Sequence, residues 1–195
     1  MKIVLASNSK YRKNLLTPLF PKLICIAPNI DEAIYENEMA KEYVSRLAYV
    51  KAKAIAASHT DAIVIGSDQC AELDGCIITK PNNHVAACQQ LQQASGKQVN
   101  FFTGLCVINT ATNSQQVCCE TYSVTFRKLG EQQIENYLRK DEPYDCAGSF
   151  KIESLGITLF ESLHGNDPNT LIGLPLIKLI SMLHNEGVKA LIDYP

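Results

Sequence analysis

The chain has 195 residues, of which 46% are hydrophobic and 19% charged, with a formal net charge of −2. That length suits one domain of ordinary size, and that composition suits a packed core rather than disorder. The charge balance argues against broad electrostatic binding to nucleic acid, which needs a basic face. No window approaches the roughly 18 apolar residues of a membrane span.

Residues 2–7 (KIVLAS) predict a buried first strand, and the run is too short for a signal peptide. Ser9 has the chemistry of an N-cap for a helix over 10–20, with Leu15, Leu16 and Leu19 on one face and Pro18 and Pro21 closing it. Residues 23–27 (LICIA) predict a second strand. A long helix is expected over 39–58, with a stripe of Tyr43, Leu47, Val50, Ala54 and Ala57. Residues 61–66 (DAIVIG) predict a third buried strand, with Ser67, Asp68 and Gln69 at its carboxyl end.

Asp74-Gly75 suits a type I′ hairpin turn. A helix is expected over 83–95, stopped by Gly96. Residues 99–109 and 116–126 predict two strands paired as an antiparallel ribbon. A helix over 131–140, a polar loop over 145–156, a short strand over 157–160 and a last helix over 176–186 complete the chain. Strands and helices alternate around one long hairpin, which predicts a mixed α/β fold in a single domain over 1–195.

The eight cysteines are Cys25, Cys70, Cys76, Cys88, Cys106, Cys118, Cys119 and Cys146. None form C-x-x-C, and the histidines complete no zinc spacing. They read as reduced thiols, mostly small core hydrophobes, in a cytoplasmic protein.

Four constellations could carry chemistry. The stretch 7–13 (SNSKYRK) lies between a strand and a helix start, where free N–H groups favour phosphate. Ser7 supplies a hydroxyl there, and the Arg12 fork fits a phosphate in a bidentate way. Asp68, at a sheet edge where open α/β folds bind ligands, could hold Mg²⁺ or activate a water. Lys51 and Lys80 could neutralise phosphate, although a lysine taken alone is more often solvated. The loop 147–153 (AGSFKIE) carries Glu153, which could accept hydrogen bonds from a base edge.

The ordered series Leu5-Ala6-Ser7, Ser9, Arg12, Leu15-Leu16, Asp31-Glu32, Lys51-Ala52, Gly66-Ser67-Asp68-Gln69, Lys80-Pro81 and Ala147-Gly148-Ser149-Phe150 resembles the Maf family of nucleotide pyrophosphatases. The resemblance runs from Lys2 to about Gly187. The branch it resembles hydrolyses 7-methyl-GTP, through the 66–69 motif and the stretches 146–151 and 167–175.

This resemblance implies a Maf/ITPase-like α/β fold, with a mixed, elongated and twisted sheet in two lobes and a cleft between them, in a homodimer. It implies a divalent cation, Mg²⁺ or Mn²⁺, and release of diphosphate from a nucleoside triphosphate to leave 7-methyl-GMP. By the same resemblance Asp68 is the catalytic carboxylate, and Ser7, Arg12, Lys51 and Lys80 bind phosphate. Tyr11, Gln69 and Glu153 select the base, and Glu32 joins Asp68 as a metal ligand. The family usually carries Pro at Lys10, and this branch more often Trp at Tyr11.

N7-methylation makes guanine cationic, which suits stacking on the Tyr11 face and pairing with an ionised Glu153. The alternatives are a pyrophosphatase for other nucleotides, of the dTTP or UTP type, and a nucleotide-binding regulator of septum formation.

Overall fold

The computed structural model describes residues 1–193. Its strands are β1 (Lys2–Leu5), β2 (Ile24–Cys25), β3 (Ala62–Leu73), β4 (Cys76–Ile78), β5 (Gln98–Asn109), β6 (Ser114–Phe126) and β7 (Phe160–His164). Its helices are α1 (Lys10–Leu16), α2 (Ala40–Ala56), α3 (His84–Ala94), α4 (Glu131–Asp141), α5 (Asn169–Ile172), α6 (Leu176–Asn185) and α7 (Ala190–Asp193). The strands run in the order β2-β1-β3-β5-β6-β7, with β4 on β3. Parallel pairing of β1 with β2 and β3, and antiparallel pairing of β4 on β3 and β7 on β6, make the sheet mixed and the fold α/β. No helix among the described residues is long and apolar enough to cross a membrane.

The chain divides into two compact units. The first holds Met1–Asp68, Thr103–Glu120 and the chain from Gly173 onward. The second holds Gln69–Phe102 and Thr121–Ile172. Strands β3, β5 and β6 contribute residues to both.

In the first unit the parallel strands are apolar on both sides. Ile3, Leu5, Ile63, Ile65, Leu105 and Val107 pack with Leu16, Phe20, Leu179 and Leu183. Val4, Ala6, Val64 and Cys106 pack with Ala48, Ala52 and Ile55 of α2. Continuous apolar runs of this kind are what a sheet covered on two faces requires. Helix α2 lies very close to the sheet, and two glycines make that possible. A Cβ on Gly66 would stand 2.1 Å from the Ala48 carbonyl oxygen, and one on Gly104 2.0 Å from that of Val44.

The second unit has its own core of Leu91, Val99, Phe101, Val124, Phe126, Leu138, Phe150 and Phe160. Phe126, Phe150 and Phe160 meet edge to face, with centroids 4.7 to 6.1 Å apart. The turn of its β3–β4 hairpin is the expected one, with Asp74 and Gly75 both at positive φ (52° and 80°).

Several boundaries differ from the sequence reading. Helix α1 stops at Leu16, because Pro18 has no N–H to donate to the next turn. Strand β3 does not end at Gly66. It continues to Leu73, since its second half is held by β4 in the register Ala71–Ile78, Glu72–Ile77 and Leu73–Cys76. The strand expected over 157–160 is shifted. Residues Leu155–Leu159 form a 3-10 turn, and β7 begins at Phe160, whose ring packs in the aromatic core.

The buried face of α2 is Tyr43, Val44, Leu47, Ala48, Lys51, Ala52 and Ile55. Ala54 and Ala57, assigned to the apolar stripe, are exposed. The true stripe runs Tyr43-Leu47-Lys51-Ile55, at a spacing of four. It was hidden because a lysine occupies one of its positions.

All eight cysteines are free thiols. Only Cys70 and Cys106 are fully buried, and Cys76 is exposed, so fewer of them are core filler than composition suggests. Burial, aided by nearby Cys118, pushes the Cys106 thiol up to about 12.

Candidate active site

Parallel pairing of β1 with β3 ends at Leu5–Ile65. Beyond it the two chains part company. β1 turns into the loop that carries Ser7, while β3 runs on through Ser67 and Asp68. Asp68 therefore sits past the end of β1 and is only 8% exposed, although it lies in the middle of its own strand.

The Lys51 ammonium meets it. Lys51 Nζ donates to Asp68 Oδ1 at 2.6 Å, and both side chains are buried. The same Nζ lies 2.8 Å from Glu32 Oε1. Glu32 comes from the loop before α2 and is half in water, its side chain 53% exposed. The Tyr43 hydroxyl donates to the Glu32 carbonyl at 3.1 Å, which ties that loop to α2. One buried cation thus gathers two carboxylates from separate segments. The close approach of α2 to β3, permitted by Gly66, sets the reach of the lysine.

Arg12 joins from α1. Its Nε donates to the Gly173 carbonyl at 2.8 Å, and one terminal nitrogen lies 3.5 Å from Ser7 Oγ. Burial lowers the Arg12 pKa, while the charges of Asp68 and then Glu32 work to raise it. It nonetheless remains a cation at neutral pH, as arginine in proteins does. Ser7 Oγ accepts from the Ser9 N–H at 3.1 Å, and Ser9 Oγ caps α1 by accepting from the Arg12 N–H at 3.4 Å. Of the three cations in the stretch 7–13, only Arg12 turns inward. Lys13 is exposed, and Lys10 Nζ stands over the Tyr11 ring, 4.9 Å from its centroid.

Two groups that the sequence reading did not assign hold this arrangement. Ser67 Oγ is buried, 2.8 Å from the Gly104 carbonyl oxygen and 2.9 Å from that of Gly173. The Gly173 carbonyl therefore serves both Arg12 and the neighbour of Asp68. Its signal in the sequence is only that it falls in the 167–175 stretch, since a backbone carbonyl has no residue code.

Ser7, Arg12, Glu32, Lys51 and Asp68 are thus brought together in the first unit, with Tyr11 half-buried on the same helix as Arg12. Lys80, Gln69 and Glu153 belong to the second unit. There Gln69 Nε2 donates to the Thr170 carbonyl at 2.6 Å and lies 3.3 Å from that of Leu171. Lys80 and Glu153 are exposed. In the loop before Glu153, Ser149 Oγ donates to Gln90 Oε1 at 2.6 Å, and Lys151 Nζ to the Asp141 carbonyl at 2.6 Å.

The four charges gathered here, Arg12 and Lys51 against Glu32 and Asp68, balance. A phosphate chain arriving there needs further positive charge, and two converging carboxylates are a donor set that can supply it by holding a cation.

The profile of the Maf-like protein family matches residues 2–186 of this sequence. The chain belongs to the Maf family. Among Maf relatives, the 7-methyl-GTP pyrophosphatase of Pseudoalteromonas atlantica is 51% identical over 183 residues, covering 94% of each chain. That of Pseudomonas putida is 48% identical, covering 95% of this chain and 97% of its own. In three dimensions this Maf chain is similar to the Ham1 protein of Staphylococcus aureus, with a TM-score of 0.54 at 18% identity, over 95% of this chain and 100% of that one. A HAM1 protein of Coxiella burnetii superposes with a TM-score of 0.52 at 13% identity, over 95% and 99% of the two chains. These two likenesses bear on the Maf fold alone.

Proposed function

We propose that this chain hydrolyses 7-methyl-GTP between its α- and β-phosphates, giving 7-methyl-GMP and diphosphate. Relatives about half identical over nearly the whole chain are named for that substrate. The observation in the site that carries the chemistry is the buried Lys51 ammonium held between Asp68 and Glu32, beside the inward-turned Arg12.

In the reaction a water oxygen bonds to the α-phosphorus, the bond from that phosphorus to the bridging oxygen breaks, and diphosphate leaves. Positioning and charge stabilisation supply most of such a step. Asp68 Oδ1 is engaged by Lys51, and the carboxylate has two alternative assignments, taking the proton of the attacking water or holding the cation. Arg12 and Ser7 bind phosphate oxygens, and Lys51 meets the charge that develops on them. Lys80 is assigned to the leaving diphosphate.

Asp68 and Glu32 fit a divalent cation, Mg²⁺ or Mn²⁺, because both already converge on one positive charge and such ions take one or two carboxylates plus substrate phosphates. When bound, that ion supplies the positive charge that the balanced quartet lacks. Tyr11, Gln69 and Glu153 are assigned to the base. The Tyr11 ring face already accepts a cation in Lys10, which is the property a methylated guanine would use. We place the activity in the cytoplasm, with the nucleotide pool.

The test is kcat/KM for 7-methyl-GTP, GTP, UTP and dTTP with Mg²⁺ and with Mn²⁺, with phosphate and diphosphate measured separately. Preference for 7-methyl-GTP with diphosphate as product is expected. A pyrimidine preference would sink the base assignment, and phosphate as the product would sink the α–β assignment. Asp68→Asn should lower kcat by orders of magnitude in a folded protein. Near-normal turnover would remove Asp68 from the centre.

A further inference from the structure

The second unit holds a side-chain cluster that the hydrolytic chemistry does not use. His84 and Cys88 lie four residues apart on α3, a spacing that brings both to one face of the helix. Glu135 reaches the same spot from α4. His84 Nε2 lies 2.8 Å from Glu135 Oε2, Cys88 Sγ lies 3.4 Å from His84 Nε2, and Cys88 Sγ lies 4.0 Å from Glu135 Oε2.

Those three separations can be compared with a metal centre. Zinc bonds of about 2.3 Å to sulfur and about 2.0–2.2 Å to nitrogen and oxygen place the donors of a tetrahedron about 3.3–3.6 Å apart. The observed triangle brackets that range, so side-chain shifts of a few tenths of an ångström would seat the ion. We propose that His84 Nε2, Cys88 Sγ and Glu135 Oε2 form a binding site for Zn²⁺ or a similar divalent transition ion, clamping α3 to α4.

The surroundings suit that use. A histidine that ligates through Nε2 must carry its proton on Nδ1 and give it to an acceptor. Here Nδ1 lies 3.0 Å from the Tyr144 hydroxyl, which in turn donates to the Leu138 carbonyl at 3.4 Å. The carboxylate is held from behind as well, with Arg139 Nη2 2.6 Å from Glu135 Oε1, which leaves Oε2 directed at the cluster. His84 and Glu135 are therefore oriented by groups on α4 and the segment that follows it. On binding, the Cys88 thiol releases its proton to solvent, and thiolate and carboxylate together neutralise the ion. His84 and Glu135 are about one-third exposed, so the fourth position is open to water. An oxygen-only pair such as Asp68 and Glu32 suits Mg²⁺, whereas sulfur and imidazole select zinc.

The ion alone is the probe. Full-length protein, stripped with chelator and dialysed, is titrated with Zn²⁺ against a chromogenic competitor and separately with Co²⁺. One equivalent of Zn²⁺ should bind, and Co²⁺ should give a thiolate-to-cobalt charge-transfer band with the intense visible bands of a four-coordinate ion. Cys88→Ser should abolish that charge-transfer band, His84→Ala should weaken binding by at least about 100-fold, and Tyr144→Phe by about tenfold. Asp68→Asn should leave the cobalt spectrum unchanged, which separates this site from the hydrolytic one. Cys88→Ser should keep the diphosphate release of the parent, which checks that it is folded. No stoichiometric Zn²⁺ binding to the parent chain, or a thiolate band that survives in Cys88→Ser, would overturn the proposal.

Discussion

Lys51→Met removes the ammonium and keeps most of the apolar stem, so it isolates the charge. Asp68 is then a buried carboxylate without its partner. Taking one member out of a buried pair costs about 3–5 kcal/mol. Glu32 adds little to this, because its side chain is 53% exposed and can return to water, an exposed pair being worth about 0–1 kcal/mol. The nearby Arg12 charge also partly compensates Asp68, which places the expected loss near the lower end, about 3 kcal/mol. Asp68→Asn is milder, because the Lys51 ammonium still has Glu32 at 2.8 Å. A loss of about 1–2 kcal/mol is expected there. The double variant should cost clearly less than the sum, since the neutral amide no longer needs the ammonium. Urea unfolding followed by circular dichroism, with chelator present, measures all four corners of this cycle. With a urea slope of about 1–3 kcal/mol per M, the Lys51→Met midpoint should fall by roughly 1–3 M. A loss below about 1 kcal/mol together with additive single effects would refute the idea that Lys51 and Asp68 form a buried, mutually dependent pair.

Three further outcomes follow from the same contacts. Arg12→Lys keeps a charge but loses the Nε bond to Gly173 and the bidentate fork, so KM should rise about tenfold with a smaller change in kcat, read by steady-state diphosphate release. Gly66→Ala should lose about 3 kcal/mol or more, seen as a lower melting temperature or loss of soluble protein, because its Cβ would fall 2.1 Å from the Ala48 carbonyl oxygen. Glu186 accepts from Asn109, Ser114 and Gln116. Burial pushes its pKa up, but those hydrogen bonds outweigh it and hold the value below the usual 4.5. The stabilisation is therefore present above about pH 4.5 and lost as pH falls through the lowered value. Glu186→Gln should cost about 1–3 kcal/mol at pH 7, and the difference from the parent should shrink toward zero in acid denaturation profiles.

Legibility varied along the chain for physical reasons. The apolar runs 2–7 and 61–66 read directly as strands because a sheet covered on both faces needs uninterrupted apolar residues. Ser9 reads as a cap, since its side-chain oxygen accepts from the Arg12 N–H three residues on. Strand β3 was cut short because Ser67, Asp68 and Gln69 look like a loop, whereas the partner strand β4 holds the residues after them in the ladder. The His84, Cys88 and Glu135 cluster is not legible in the sequence because its third donor is 47 residues from the second, on another helix.

Local physics in the sequence by itself determined the alternation of strands and helices and the Asp-Gly hairpin, while the ordered series of motifs carried the resemblance to the Maf family that the profile match shows. Only the tertiary structure decided that Lys51 is buried and paired with two carboxylates rather than solvated. The same letter on the outer face of α2, as at Lys53, is exposed. What separates them is a close helix-to-strand approach allowed by Gly66, and two carboxylates delivered from segments 19 and 17 residues away on either side. Burial and convergence are properties of packing, and a string of residue types carries them only as possibilities.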